Sequence, residues 1–267
     1  MFNITKADIK RILLSKSLIV MPIVLFVMVL IVSGLFAGLQ YLAKLDLSAI
    51  IGDSMETLGV LSAMPSNGYQ MAITNLQSDT LIYVLLIVML SVSAFDFSSG
   101  TIKNLLSIGK SKIQIYTSKL ITSYIWTIFA VIVYGILSVL IGYIVFAEMP
   151  TSQELAEFAV ICLKQIPIYL SIITFGHMFV FITQKTALSL IFYIGSFLLF
   201  ETIVPILDLA LKLPFKFSFL MPLFQLIELT NSNTELTGYL AIYISTFVYM
   251  IIAGFSGYYI FKKSELK

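Results

Sequence analysis

Six stretches of about 20 apolar residues constrain this chain more than anything else in its 267 residues. A bilayer core about 30 Å thick needs roughly 20 residues of helix at 1.5 Å each. The stretches run over 18–39, 80–98, 120–147, 165–184, 186–207 and 236–261. The first is uncharged, the second carries only Asp96 near one end, and the fifth only Glu201. With 59% apolar and 11% charged residues and a mean hydropathy of +1.01, no single soluble core could bury so much apolar surface. Lipid must solvate much of the chain. This excludes a soluble enzyme, a secreted disulfide scaffold and a nucleic-acid-binding domain.

The expected fold is therefore an all-α polytopic membrane protein with six transmembrane helices. With a cytoplasmic N-terminus, the inner segments hold twelve lysines and arginines, Lys6, Lys10, Arg11, Lys103 and Lys119 among them. The outer side keeps four: Lys44, Lys164, Lys212 and Lys216. That split predicts cytoplasmic N- and C-termini. The first apolar run is too long for a signal peptide and lacks an A-x-A-like site, so it reads as an uncleaved anchor. No internal repeat, low-complexity tract or linker interrupts the chain. Residues 1–267 form one transmembrane domain.

Three helix starts carry capping-box spacing: Ser111 with Gln114, Thr151 with Glu154, and Ser232 with Glu235. The loop over 40–79 is too apolar in its middle (57–76) to be fully solvated, and is expected to pack against the outer leaflet or a partner. Pro214 and Pro222 divide 205–230 into pieces too short to cross, which predicts re-entrant or interfacial helices before the last span.

Enzymatic chemistry has little to work with. His177 is the only histidine and Cys162 the only cysteine, so the chain offers no His-pair metal site and no cysteine cluster. Gly109-Lys110-Ser111 resembles the end of a phosphate-binding loop, but Asn104 stands where its first glycine belongs. No ATP-binding motif is present, and the chain is not expected to be an enzyme.

The loop after the second span is more informative. As a short helix over 101–109, it aligns Ile102, Leu105 and Leu106 on one face, with Lys103, Asn104 and Ser107 elsewhere. Gly109 stands where a left-handed stop is needed, and Asp96 just upstream suits the helix N-terminus. So short a helix must dock to persist. It either lies on the inner leaflet or fits a groove on a cytosolic partner. The N-terminus offers a second amphipathic helix, with Phe2, Ile9, Ile12 and Leu13 on one stripe and Lys10 and Arg11 facing away, suited to the headgroup plane.

The run from Ser99-Gly100-Thr101-Ile102-Lys103-Asn104-Leu105-Leu106-Ser107 through Ile115-Tyr116-Thr117-Ser118-Lys119-Leu120 resembles the first inner loop of ABC-2 type transporter permeases of Gram-positive bacteria. The opening Lys6-Ala7-Asp8-Ile9-Lys10-Arg11, with Lys16-Ser17, is similar to their N-terminus. Asp96 stands where such permeases more often carry Glu. The resemblance implies that Thr101, Ile102, Asn104, Leu105, Leu106 and Gly109 belong to a coupling helix. That helix would seat in a separate ATP-binding subunit, two copies of which bind ATP and Mg while this chain holds no cofactor. It also implies a second permease copy or homologue, and a pathway lined by the second and fifth spans.

Tyr83, Ser91, Phe197 and Glu201 are the candidates to line such a path. Small polar and aromatic residues are also common between packed helices. Glu201 either faces a water-filled pathway or snorkels to the outer interface. His177 reads as a hydrogen-bonded packing residue. The function expected is the membrane subunit of an ATP-driven exporter in a bacterial plasma membrane, moving amphipathic or hydrophobic substrates such as peptides. A stand-alone carrier or channel, and a non-transporting sensor or immunity protein, are the rivals.

Overall fold

The computed structural model describes residues 2–44, 64–211, 217–230 and 236–264. Its described residues form helices joined by short turns, with no strand among them, and six helices are long and apolar enough to cross a membrane. The elements are α1 (Phe2–Leu13), α2 (Ser17–Lys44), α3 (Gly68–Gln77) and α4 (Thr80–Met89), which continues through a π-helical turn (Leu90–Ala94) into α5 (Phe95–Ser98). Then come α6 (Thr101–Ser107), α7 (Lys112–Phe146), α8 (Ser152–Thr183), α9 (Thr186–Leu211), a 3₁₀ turn (Phe217–Leu220), α10 (Pro222–Glu228) and α11 (Leu236–Lys263). The short pieces expected before the last span are the 3₁₀ turn and α10. The Ser232–Glu235 cap, Pro214 and the first part of the apolar 57–76 stretch lie outside the described residues.

Several helices outrun the apolar stretches that announced them. The α7 helix begins at Lys112 because Ser111 and Gln114 form the reciprocal capping box, and α8 begins at Ser152 through Thr151 and Glu154. At 1.5 Å per residue, the 35 residues of α7 span about 52 Å, well beyond a bilayer core. Apolar counting stops at a charge. A capped helix does not.

The second span is the most buried of the six, at 56% of its apolar window, with α7 and α8 next at 44%. The windows of α2, α9 and α11 are only 17–22% buried and leave Ile19, Leu198, Ile251 and Phe255 exposed. The second, third and fourth spans thus form the core, and the others carry most of the lipid-facing surface. Lys112 Nζ donates to the carbonyls of Phe261 (3.2 Å), Lys262 (3.1 Å) and Ser264 (2.6 Å), which places the end of α11 beside the start of α7. The α1 helix packs against the same part of α7. The two chain ends therefore share one end of the bundle, called here the terminal end.

At the opposite end α3 lies against α7 at close range. A Cβ on Gly142 would sit 2.7 Å from the Gly68 carbonyl oxygen, and one on Gly68 would sit 2.8 Å from the Tyr143 ring. Only glycine permits that approach. Asn75 of α3 donates to Ser33 of α2 (3.1 Å), and buried Gln165 of α8 donates to the carbonyls of Leu76 (3.3 Å) and Leu226 (3.2 Å). From Gly68 onward the apolar 57–76 stretch is thus covered by the chain's own helices, where the leaflet or a partner was expected, with Met71, Ala72 and Leu76 buried.

Candidate functional site

The terminal end holds four buried or half-buried charges from three helices in a closed ring. Asp96 at the foot of the second span accepts from Arg11 Nη1 of α1 and from Lys119 Nζ of α7. Lys119 also reaches Asp8 Oδ1 at 2.6 Å, and Arg11 Nη2 lies 3.6 Å from the same oxygen. Lys119 and Asp96 are completely buried, while the Arg11 side chain stays 39% exposed. Two acids and two bases balance. Removing one partner of such a buried set leaves an uncompensated charge, at a cost of about 3–5 kcal/mol. Burial pushes the Asp8 carboxyl above the usual carboxylate range, although Lys119 and Arg11 pull it back. Burial opposes the charge on Arg11, but the hydrogen bond and charge of Asp96 more than offset it and raise its pKa.

The π turn explains how Asp96 comes to face this ring. There the Phe95 N–H donates to the Leu90 carbonyl, five residues back. One extra residue in a turn rotates everything beyond it by about 100° relative to a continuous α-helix. The widened turn also offers polar groups to three neighbouring helices. Arg11 Nη2 donates to the Ser91 carbonyl (3.4 Å), and Thr186 of α9 to that of Ala94 (3.5 Å). Ser93 Oγ meets His177 Nδ1 of α8 at 3.2 Å. The other ring nitrogen of His177 lies 3.3 Å from the Tyr116 carbonyl of α7. His177 is buried among the rings of Tyr116 and Phe181, which is the hydrogen-bonded packing role expected of it.

The α6 helix hangs from this assembly. Gly100 (φ +74°) precedes it and Gly109 (φ +83°) follows it, both left-handed. Gly109 N–H donates to Leu106 O (3.0 Å) and Lys110 N–H to Leu105 O (3.1 Å), the paired bonds of a Schellman stop. Ile102 is buried in the chain's own core, and Leu105 and Leu106 pack half-buried against it. Ile102 is therefore rooted in the chain's own core, while Leu105 and Leu106 keep part of their surface open. Lys103, Asn104, Ser107 and Gly109 are exposed, Thr101 is half-buried, and Ile108 is 70% exposed. Asp96, expected to serve the N-terminus of this helix, is committed to Arg11 and Lys119 instead.

A second correction concerns α1. Its buried face is Ile4, Thr5, Asp8 and Ile12, with Arg11 turned inward, while Leu13 is 54% exposed. The packed face joins Ile4 and Ile12 to the charge pairs of Asp8 and Arg11, which turn Leu13 outward.

Of the pathway candidates, the structure brings two together. Tyr83 donates to Glu201 Oε2 at 3.4 Å, while Glu201 Oε1 is buried without a partner among the described residues. Phe197 is buried against Tyr193 and Phe175, and Ser91 Oγ returns to the Val88 carbonyl of its own helix (3.2 Å). These two do not join the pair.

Lys119 escaped the sequence reading because it sat at the edge of an apolar run, and Asp8 and Arg11 because they counted as charges on the solvent side of α1. One signal was available. A short loop joining two antiparallel spans brings Asp96 and Lys119, on either side of it, to similar depth. Among the described residues no group of three or more His, Cys, Asp or Glu side chains could hold a metal ion.

No curated protein matches the chain. Residues 47–266, which include Asp96, Lys119 and α6 but not Asp8 and Arg11, match the family model described as "Protein of unknown function (DUF2705)", and the chain belongs to that family.

Proposed function

We propose that this multi-pass membrane protein is the permease subunit of an ATP-driven transporter of the ABC-2 type, exporting amphipathic or hydrophobic substrates such as peptides. It lies in a bacterial plasma membrane with both termini cytoplasmic. It works with a second permease and with two soluble ATPase subunits, which bind ATP and Mg and perform hydrolysis. The observation that carries this reading is α6. It is a glycine-delimited helix rooted in the bundle by Ile102, beside the four-charge ring, and it leaves Lys103, Asn104, Ser107 and Ile108 outside. A rigidly rooted, outward-facing helix can transmit a push from a docked subunit. The ring and the π turn would pass it to α1, α7, α8 and α9 at once. Tyr83 and Glu201 are the pathway pair in this scheme.

The test uses Ile108→Asp, which changes an exposed side chain and should leave insertion intact. Co-expressed with the soluble ATPase that this reading requires, the variant should lose copurification or substrate-stimulated ATP hydrolysis. Normal copurification and hydrolysis in an Ile108→Asp, Asn104→Lys double variant would remove α6 as the docking element. Labelling of a cysteine at Ser264 from outside intact cells would overturn the topology.

A further inference from the structure

We propose that the groove between α3, α8 and α11, at the end opposite the chain termini, is a binding site for the headgroup of a zwitterionic aminophospholipid. Lys164 would hold its phosphate and Glu157 its ammonium. The groove has a volume of about 440 Å3 and is lined by Tyr69, Glu157, Val160, Ile161, Lys164 and Tyr239, with Leu229 and Thr230 closing one side. That is within the range of small-ligand sites, about 300–1,000 Å3. The proposal goes beyond the transport reading and stands without it.

The placement of the charges carries the argument. The α8 helix has 32 residues, and Lys164 is the last charge along it before the charge-free stretch that starts at Gln165. Lys164 therefore stands at the edge of the hydrocarbon. Glu157, seven residues earlier, lies within about 20° of the same line on the helix and about 10 Å farther out. An interfacial headgroup layer is about 5–7 Å deep on each side of the bilayer, so the pair brackets it. Helical side chains lean toward the N-terminus, which carries the lysine up the groove toward the carboxylate.

Lys164 Nζ has no ion pair or hydrogen bond among the described residues; it lies 4.7 Å from the centre of the Tyr239 ring. An ammonium over an aromatic face, at the hydrocarbon edge and without a counter-ion, is arranged to take an anion. Glu157 is fixed above it by Gln153 (2.9 Å) and by the Tyr69 hydroxyl (3.4 Å). It keeps acceptor capacity for a primary ammonium. Val160 and Ile161 floor the groove between the two charges and suit the glycerol and upper acyl carbons. A phosphate lipid with no amine would leave Glu157 unmatched. A choline headgroup brings no N–H donor to it.

The full-length protein, purified in detergent and offered equal amounts of phosphatidylethanolamine, phosphatidylcholine and phosphatidylglycerol, would be read by native mass spectrometry. The wild type should retain the ethanolamine lipid about tenfold over either competitor, the scale of one charge-assisted hydrogen bond. Lys164→Gln and Glu157→Gln should each abolish that preference, while Lys164→Arg should keep it; monodisperse gel filtration of all three establishes that they fold. No preference in the wild type, an excess of the glycerol lipid, an unchanged preference in either Gln variant, or its loss in Lys164→Arg would overturn the proposal. A lysine that merely snorkels predicts no preference at all.

Discussion

The two ends of the bundle treat buried charge in opposite ways. At the terminal end Asp8, Arg11, Asp96 and Lys119 close a neutral ring in which Asp96 has both oxygens on cations. Toward the other end of the span, Glu201 has one phenol at 3.4 Å and a buried oxygen with no partner among the described residues. The first arrangement welds helices together, because no member can leave without stranding another. The second leaves a carboxylate whose charge the fold does not use. The difference separates a structural lock from an uncommitted carboxylate within one set of spans.

The largest expected effect comes from breaking the ring at its centre. Lys119→Met should lower stability by about 3–5 kcal/mol, because two buried carboxylates lose their shared cation. It should appear as a much lower Tm in detergent and poor membrane yield. Adding Asp96→Leu to Lys119→Met removes an acid as well and leaves Asp8 with Arg11. The double variant should be more stable than Lys119→Met alone, a non-additivity that only a coupled ring produces. Additive losses would show that the four charges act separately.

A smaller loss should follow at the other end from steric, not electrostatic, change. Gly142→Ala places a methyl group 2.7 Å from the Gly68 carbonyl oxygen, so α3 must shift from α7 at about 1–3 kcal/mol. The Tm should fall, and exposure of Tyr143 to surface quenchers should rise. The loss of the capping hydroxyl in Thr151→Ala is expected to cost about 1 kcal/mol. It frays only the first turn of α8, so amide exchange should quicken over 152–156 and nowhere in the ring.

The contrast between the ends also shows what sequence can reveal. The spans, the Ser111 and Thr151 caps and the Gly109 stop were legible because each is set by residues within a turn or two. The α6 periodicity was legible too, but a period reports that a face is buried and not what buries it. Ile102 went into the chain's own core. The ring was hidden for two physical reasons. Its partners are 85 and 111 residues apart along the chain, and the π turn puts Asp96 on a face that 3.6-residue counting assigns elsewhere. For α1 the assumption that charges face water chose the wrong stripe. Among the pathway candidates, Tyr83 and Glu201 met because the second and fifth spans touch, which hydropathy alone does not encode.

The smallest effect on stability belongs to Glu201→Gln, and that is its value. The amide keeps the shape and can still accept from Tyr83, so Tm and complex yield should shift by no more than about 0.5 kcal/mol, the range of changes away from packed networks. Lys119→Met should be costly under the same conditions. If Glu201→Gln proved equally costly, the carboxylate would have to be paired as tightly as Asp96, and the contrast between the ends would collapse. If stability is kept, transport decides what the carboxylate does. A carboxylate facing the path attracts cationic groups and repels anionic ones, so the amide should change the ratio of cationic to anionic cargo moved and leave neutral cargo alone. Equal transport of all three by wild type and variant would assign Glu201 to the outer interface, where either group is tolerated.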